Sequence, residues 1–312
     1  MPAIAALPKV LSNPDGIALT FVIADACHFA CPGCIVVQRK ETRSSASLSV
    51  DDHLTFVRSV VAMRSVGLIG AQGYEPLHNN AWGTTEALMQ LGRDMGIQTT
   101  LVTNGVELSR RLSDLMRLDV SGITVSLDSA DQKLNDWSRG HVGAFELTMN
   151  GLRAIAISPL RERVLVASIL RPGREKALDG MPALLASLGF NTWIVSAQLR
   201  FGKNSGGPVD DRDNIVRELL RLERIATAQD ISMLVDDEFE SIFVEQPGVI
   251  DFASARVRRL KRSAGVVRLA PDGSLSYGTD ILTRVAADTV RWTPTTDPCD
   301  AINRAKLRSE RK

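Results

Sequence analysis

Three cysteines stand close together in Ala26-Cys27-His28-Phe29-Ala30-Cys31-Pro32-Gly33-Cys34, a C-x3-C-x2-C spacing. Thiolates are the ligands of iron–sulfur clusters and of zinc, and paired thiols carry out disulfide exchange. Three closely spaced thiolates can hold three irons of a cubic cluster and leave the fourth iron open to a small molecule. A zinc site would want a fourth Cys or His, usually from a second segment, and His28 adjoins Cys27 too closely to serve easily. Cys31-Pro32-Gly33-Cys34 alone has the spacing of a redox pair, which normally opens a helix after a strand. The fourth cysteine, Cys299, lies far off in Asp297-Pro298-Cys299-Asp300.

Other polar or glycine-containing segments follow apolar runs in the same way. They are Gly73–Pro76, Thr103-Asn104-Gly105, Ser126–Asp128 and Arg171-Pro172-Gly173. The elements that would position them alternate in type. Ile17–Ala24 reads as a buried strand, and Ser49 caps a helix with Leu54, Val57, Val60 and Val61 on one face. Further strands are expected at Val66–Ala71, Gln98–Val102, Gly122–Leu127, Val164–Leu170 and Thr192–Leu199. Helices are expected at Thr85–Met95, Leu108–Leu118, Ala144–Ile157 and Lys176–Leu188. This alternation argues a parallel sheet in which every polar segment above falls at a strand's C-terminal end, the edge where parallel α/β folds bind ligands.

The alternation runs on to Val235 and then breaks. Gly202–Asp213 has the composition of a loop, Asn214–Gln229 reads as a helix and Ile231–Val235 as a strand. Val266–Leu269 and Ser274–Tyr277 form an expected hairpin around Pro271-Asp272-Gly273. The expected organisation is an α/β fold. Residues 1–213 form a partial (βα)6 TIM-like barrel, 214–239 connect, and 240–312 make a small C-terminal α+β cap.

The cysteine spacing at the end of the first strand of such a pattern resembles the radical S-adenosylmethionine (radical SAM) enzymes. The resemblance covers about residues 15–200. It implies that Cys27, Cys31 and Cys34 hold a 4Fe–4S cluster whose open iron is chelated by S-adenosylmethionine. Reductive cleavage of that cofactor then yields a 5′-deoxyadenosyl radical that abstracts hydrogen. Gly73-Tyr74-Glu75-Pro76 resembles the family's Gly-Gly-Glu-Pro, with Tyr74 where glycine is usual. Val125-Ser126-Leu127-Asp128, followed by Asn135-Asp136-Trp137-Ser138-Arg139-Gly140, resembles the segments of the branch with C-terminal SPASM or twitch domains. The resemblance implies cofactor contacts at Gly73, Tyr74, Glu75, Ser126, Asp128 and Ser168, and also at Ile194–Ala197. Arg139 is expected to be structural, bonding strand-end carbonyls or Asp136.

The sequence also departs from that family. Gly33 replaces the usual aromatic before the third cysteine, and Phe29 is expected to shield the cluster instead. Relatives flank the Pro-Asp-Gly hairpin with cluster-binding cysteines. Here Ser263, Ala264, Tyr277 and Gly278 stand near those positions, and only Cys299 remains outside the triad. A twitch-like cap without an auxiliary cluster is expected, hence one cluster in all. Cys299 is either a tail residue without a role or a hydrogen-atom donor that quenches a substrate radical. Asp236, Asp237, Glu238, Tyr277 and Asp280 are candidates to line a substrate space between barrel and cap.

With 37 basic and 36 acidic residues among 312, the charge balance gives no case for general nucleic-acid binding. The basic residues around Arg256–Arg262 and at the C-terminus read as solvated surface. No apolar stretch is long enough to span a bilayer and no secretory signal is visible, so a reducing cytoplasm is expected, with no membrane partner. The expected partners are a small-molecule substrate first, because the chain is short and shows no N-terminal peptide-recognition domain. A peptide substrate comes second, along with a one-electron donor such as flavodoxin or ferredoxin. A non-catalytic iron–sulfur or regulatory protein on the same fold is the alternative of another class.

Overall fold

The structure is a computed structural model. It describes residues 16–23, 26–32, 34, 47–171, 173–197, 212–236, 257–260, 265–278 and 290–309. Strand β1 (Ile17–Val22) is an almost wholly buried apolar run, as a parallel strand covered by helices requires. It pairs in parallel with β2 (Val66–Gln72), which pairs with β3 (Gln98–Thr103), then β4 (Gly122–Ser126), β5 (Val164–Leu170) and β6 (Thr192–Ala197), all parallel. Two more parallel strands, β7 (Ser232–Asp236) and β8 (Val257–Leu260), extend the sheet beyond β6.

At the other side β9 (Val266–Leu269) pairs in parallel with β1, and β10 (Leu275–Tyr277) turns back antiparallel. The order is β10-β9-β1-β2-β3-β4-β5-β6-β7-β8, with β10 and β8 as edges, so the sheet is an unclosed, partial barrel. The expected hairpin forms. Gly273 takes the positive φ that its turn needs, Gly273 N–H donates to Ala270 O at 3.0 Å, and Ser274 N–H donates to the Asp272 carboxylate at 3.0 Å. Its seat beside β1 gives a buried strand a second neighbour. Thr20 Oγ1 donates to Val267 O across the pairing at 3.3 Å.

The helices cover this sheet. Helix α1 (Val50–Val61) starts at the expected Ser49, where Asp52 N–H donates to Ser49 Oγ and Ser49 N–H donates to Asp52 Oδ2, a reciprocal cap. Its buried face is His53, Phe56, Val57 and Val60. Helix α2 (Asn79–Asp94) starts earlier than its apolar periodicity suggests, because His78 Nδ1 accepts from Asn80 N–H at 3.2 Å and caps it. Helix α3 (Leu108–Arg117) follows β3. Helix α4 (Gln132–Arg139) is a short element that the sequence showed only as a motif. Asp131 caps its start, and Gly140 ends it at φ +61°. Helices α5 (Ala144–Ala156), α6 (Met181–Ser187) and α7 (Arg212–Ala228) complete the layer.

At the end of the chain Trp292 is buried edge-on against Phe56 of α1, with ring centroids 5.0 Å apart. Helix α8 (Pro298–Ser309) packs on α1 and β10. One large apolar cluster runs from Leu19 and Phe21 in β1 to Ala301, Ile302 and Ala305 in α8.

Candidate active site

The segment after β1 carries Cys27, Cys31 and Cys34, all free thiols at intermediate exposure. Cys34 N–H donates to Cys31 O at 3.0 Å, so the last two cysteines share one turn. The segment is pressed against the end of α4. A Cβ at Gly140 would overlap the Ala30 carbonyl oxygen, and only glycine combines that approach with a left-handed backbone. Phe29 is buried, and its ring lies 5.4 Å from that of His141.

Two thiols have nitrogen donors beside them. Burial pushes the Cys27 thiol up, a shift opposed by hydrogen bonds from the Phe29 backbone and from Asn104, whose Nδ2 lies 3.6 Å from Sγ. Burial likewise raises Cys31, while the charge and a hydrogen bond of Arg139 pull it down. Asn104 belongs to the Thr103-Asn104-Gly105 turn, which Glu75 fastens to the end of β2. Glu75 Oε1 accepts from Leu77 N–H (3.0 Å) and Thr103 Oγ1 (2.7 Å), and Oε2 accepts from Asn104 N–H (2.7 Å). The carboxyl is 2% exposed, and burial outweighs these donors to raise its pKa to about 7. Gly73 takes φ +107°, and a Cβ there would lie 2.7 Å from Val22 Cγ1. Tyr74 does not take a positive φ, so replacing the usual glycine leaves this turn unstrained. His28 Nε2 meets Glu107 Oε1 at 3.1 Å, and its ring lies 4.9 Å from that of His78.

The end of β4 is organised around Asp128, which is 3% exposed. Its Oδ1 pairs with Arg139 at 3.0 Å and accepts from Ile169 N–H at 3.0 Å. Its Oδ2 accepts from Ser138 Oγ and lies 3.5 Å from the Arg171 guanidinium, whose Nε also donates to Ser138 Oγ at 3.1 Å. Asp128 N–H donates to Asn135 Oδ1 at 3.0 Å. Arg139 thus pairs with Asp128 and not with Asp136, which accepts from Gly143 and Phe145 N–H at the start of α5. Ser168 Oγ donates to Leu127 O at 2.6 Å and accepts from Trp193 Nε1 at 2.9 Å. Ser126 ends β4 at intermediate exposure. The strand ends of β1, β2, β3 and β4 therefore meet through Cys27, Asn104 and Glu75 on one side and through Cys31, Arg139 and Asp128 on the other.

Residues 21–174 match the family model described as the Radical SAM superfamily. That stretch is a radical SAM domain. A GTP 3′,8-cyclase of Rhizobium etli (strain CIAT 652) is 24% identical over 274 residues, which cover 84% of this chain and 76% of the relative. An AdoMet-dependent heme synthase of Methanosarcina barkeri is 28% identical over 141 residues, 44% of this chain and 38% of the relative. Among solved structures, anSMEcpe with bound AdoMet aligns at TM-score 0.67 and 14% identity, covering 93% of this chain and 82% of its own. Streptococcus suis SuiB bound to precursor peptide SuiA aligns at 0.67 and 14%, covering 96% and 67%. At that identity the likeness is one of fold.

Radical SAM enzymes use a 4Fe–4S cluster and S-adenosylmethionine, and the donor set here suits that cluster. Three free thiols are available, and N–H donors beside sulfur are a known lever on cluster electronics. Two buried donors, Arg139 Nε and Asn135 Nδ2, have no partner among the described residues. Among the described residues no three His, Cys, Asp or Glu side chains close on a single metal ion. A cubic cluster takes one thiolate on each of three irons and does not need its ligands to meet at one point. Cys299 lies outside this assembly, on α8 and 3% exposed, its N–H donating to Asp297 Oδ1 at 2.8 Å. Tyr277 ends β10 and Asp236 ends β7, while Asp237, Glu238 and Asp280 lie outside the described residues, as do Ser263 and Ala264. No helix among the described residues is long and apolar enough to cross a membrane.

Sequence reasoning missed the part played by Asn104, Ser138 and Arg171. Asn135, Ser138 and Arg139 fall at i, i+3 and i+4, a spacing that puts them on one helix face and was the available signal for α4.

Proposed function

We propose that this enzyme carries a single 4Fe–4S cluster on Cys27, Cys31 and Cys34 and takes a hydrogen atom from a small-molecule substrate. The observation that carries this reading is the meeting of three free cysteines, the Asn104 amide and the Arg139 guanidinium at one sheet edge. The bound cluster and S-adenosylmethionine supply a hydrogen-abstracting carbon radical after one-electron reduction by a flavodoxin- or ferredoxin-like donor. The chain's own residues position and shield. Gly73, Tyr74 and Glu75 at the end of β2 and Ser126 at the end of β4 would receive the cofactor's methionyl and ribose groups, Glu75 through the turn that its buried carboxyl fastens. Asp128 and Ser168 act one step back, since their side chains are engaged with Arg139, Arg171, Leu127 and Trp193. Phe29 covers the cysteine segment against water.

Support for a small molecule is the similarity to GTP 3′,8-cyclases, which runs over 84% of this chain. The fold shared with SuiB, solved with a bound peptide, supports a peptide substrate as the second reading. Anaerobic reconstitution should load about 4 Fe per chain, and alanine at any of the three cysteines should abolish that. Reduced enzyme should convert S-adenosylmethionine to deoxyadenosine, and deuterium appearing in it from a labelled candidate would identify the substrate. An iron-free chain that holds zinc in the triad overturns the reading, and label arriving from a co-purified peptide favours the second.

A further inference from the structure

Arg139 is 9% exposed and its charge is only partly spent on Asp128. One terminal nitrogen takes Asp128 Oδ1 at 3.0 Å, while Nε is buried with no partner among the described residues. An arginine offers five N–H groups in a fixed fork, so leaving one buried and unmatched is costly unless something outside the protein accepts it. The backbone that carries the fork is held in place. It sits on the last turn of α4, and the next residue, Gly140, is wedged under the Ala30 carbonyl of the cysteine segment. That turn meets the cysteine segment on both sides of Cys31, since a Cβ at Gly140 would overlap Ala30 O and lie 3.2 Å from Pro32 Cδ. Asp128 is held in turn by Ser138, Ile169 N–H and Arg171, so the pair is fixed to β4, α4 and β5 together.

We infer that Arg139 is a positioning residue that sets the reduction potential of the cluster on Cys31, with Asp128 as the counter-charge that moderates it. This rests on the cluster reading above. A cationic donor beside a cluster thiolate favours the reduced, more negative state. Neutralising Asp128 leaves that cation less compensated. The two residues therefore act with opposite sign, which a purely structural role would not produce.

The test is an EPR-monitored redox titration of reconstituted protein without S-adenosylmethionine, for wild type, Arg139→Gln, Arg139→Lys and Asp128→Asn. Arg163→Gln serves as a control, because that arginine pairs with exposed Asp119 elsewhere. Arg139→Gln should make reduction about tenfold less favourable, a fall of about 59 mV for one electron. Arg139→Lys should shift the same way by less, Asp128→Asn should shift upward, and Arg163→Gln should leave the value in place. Equal potentials in all variants, or a downward shift in Asp128→Asn, overturn the inference. If Arg139→Gln does not load iron, Arg139→Lys and Asp128→Asn decide by the same signs. Failure of the wild type to form a cluster counts against the proposed function instead, so the two failures are distinguishable.

Discussion

Glu75 combines burial with three donors. Its carboxyl titrates near pH 7 in the folded chain, against about 4.3 for an unfolded glutamate. The folded state therefore holds this proton more tightly than the unfolded one, and the stability it lends is complete below about pH 4 and is lost as pH rises through 7. A shift of this size corresponds to about 3–4 kcal/mol across the window. For the iron-free chain, thermal melts should show stability falling between about pH 4.5 and 7.5. Glu75→Gln should flatten that slope and cost about 1–2 kcal/mol at its acid end, since an amide cannot accept from both Thr103 and Asn104 in the same way. An unchanged slope would remove Glu75 as its source. At this scale the sequence showed which residue types mattered and not whom they touched. Glu75, Cys27 and Cys31 stood out by motif. The partnership of Arg139 with Asp128 did not, because side-chain pairing across two strand ends has no local pattern.

Among the elements, α4 has the largest effect for its length. Eight residues carry Asn135, Ser138 and Arg139 to Asp128, and the glycine that stops the helix lets the cysteine segment lie against it. Gly140→Ala would add a methyl group where the Ala30 carbonyl sits, on a backbone at φ +61°. We expect a loss of about 2–3 kcal/mol in stability, from left-handed strain plus the clash, and lower iron occupancy after reconstitution. Gly96→Ala, also at positive φ but with open space around it, should cost about 1 kcal/mol and leave iron loading intact. Comparing the two by melting and iron assay separates strain from displacement of the cysteines. The strands and most helices were legible because their apolar runs are long. Helix α4 was not, because Lys133, Asp136 and Trp137 give it a mostly polar outer face and eight residues are too few for a periodic signal.

For the molecule as a whole, the C-terminal segment is part of the sheet that holds the site. Trp292 joins it to α1 through Phe56, and Trp292→Ala should cost about 3–5 kcal/mol by chemical denaturation, with β1 and α1 losing amide protection together. Loss of protection confined to residues 290–309 would show that this segment is energetically separate. The hairpin was readable from Pro271-Asp272-Gly273, but its place beside β1 was not. Pairing between residues some 247 positions apart depends on which strand edge is left open once all the others have paired, and no window of sequence contains that choice.

That pairing also has a temporal side. β1 is made first, and its β9 neighbour leaves the ribosome only about 247 residues later. Until then the strand that leads into Cys27, Cys31 and Cys34 has one open flank, and closing it requires a contact of very high sequence separation, the slow kind. Metal delivery to the nascent chain would meet a half-framed site. In a pulsed hydrogen-exchange refolding experiment, the Ala18 and Thr20 amides, which point at β9, should gain protection with those of Val267 and Leu269, after β3, β4 and β5 have already closed.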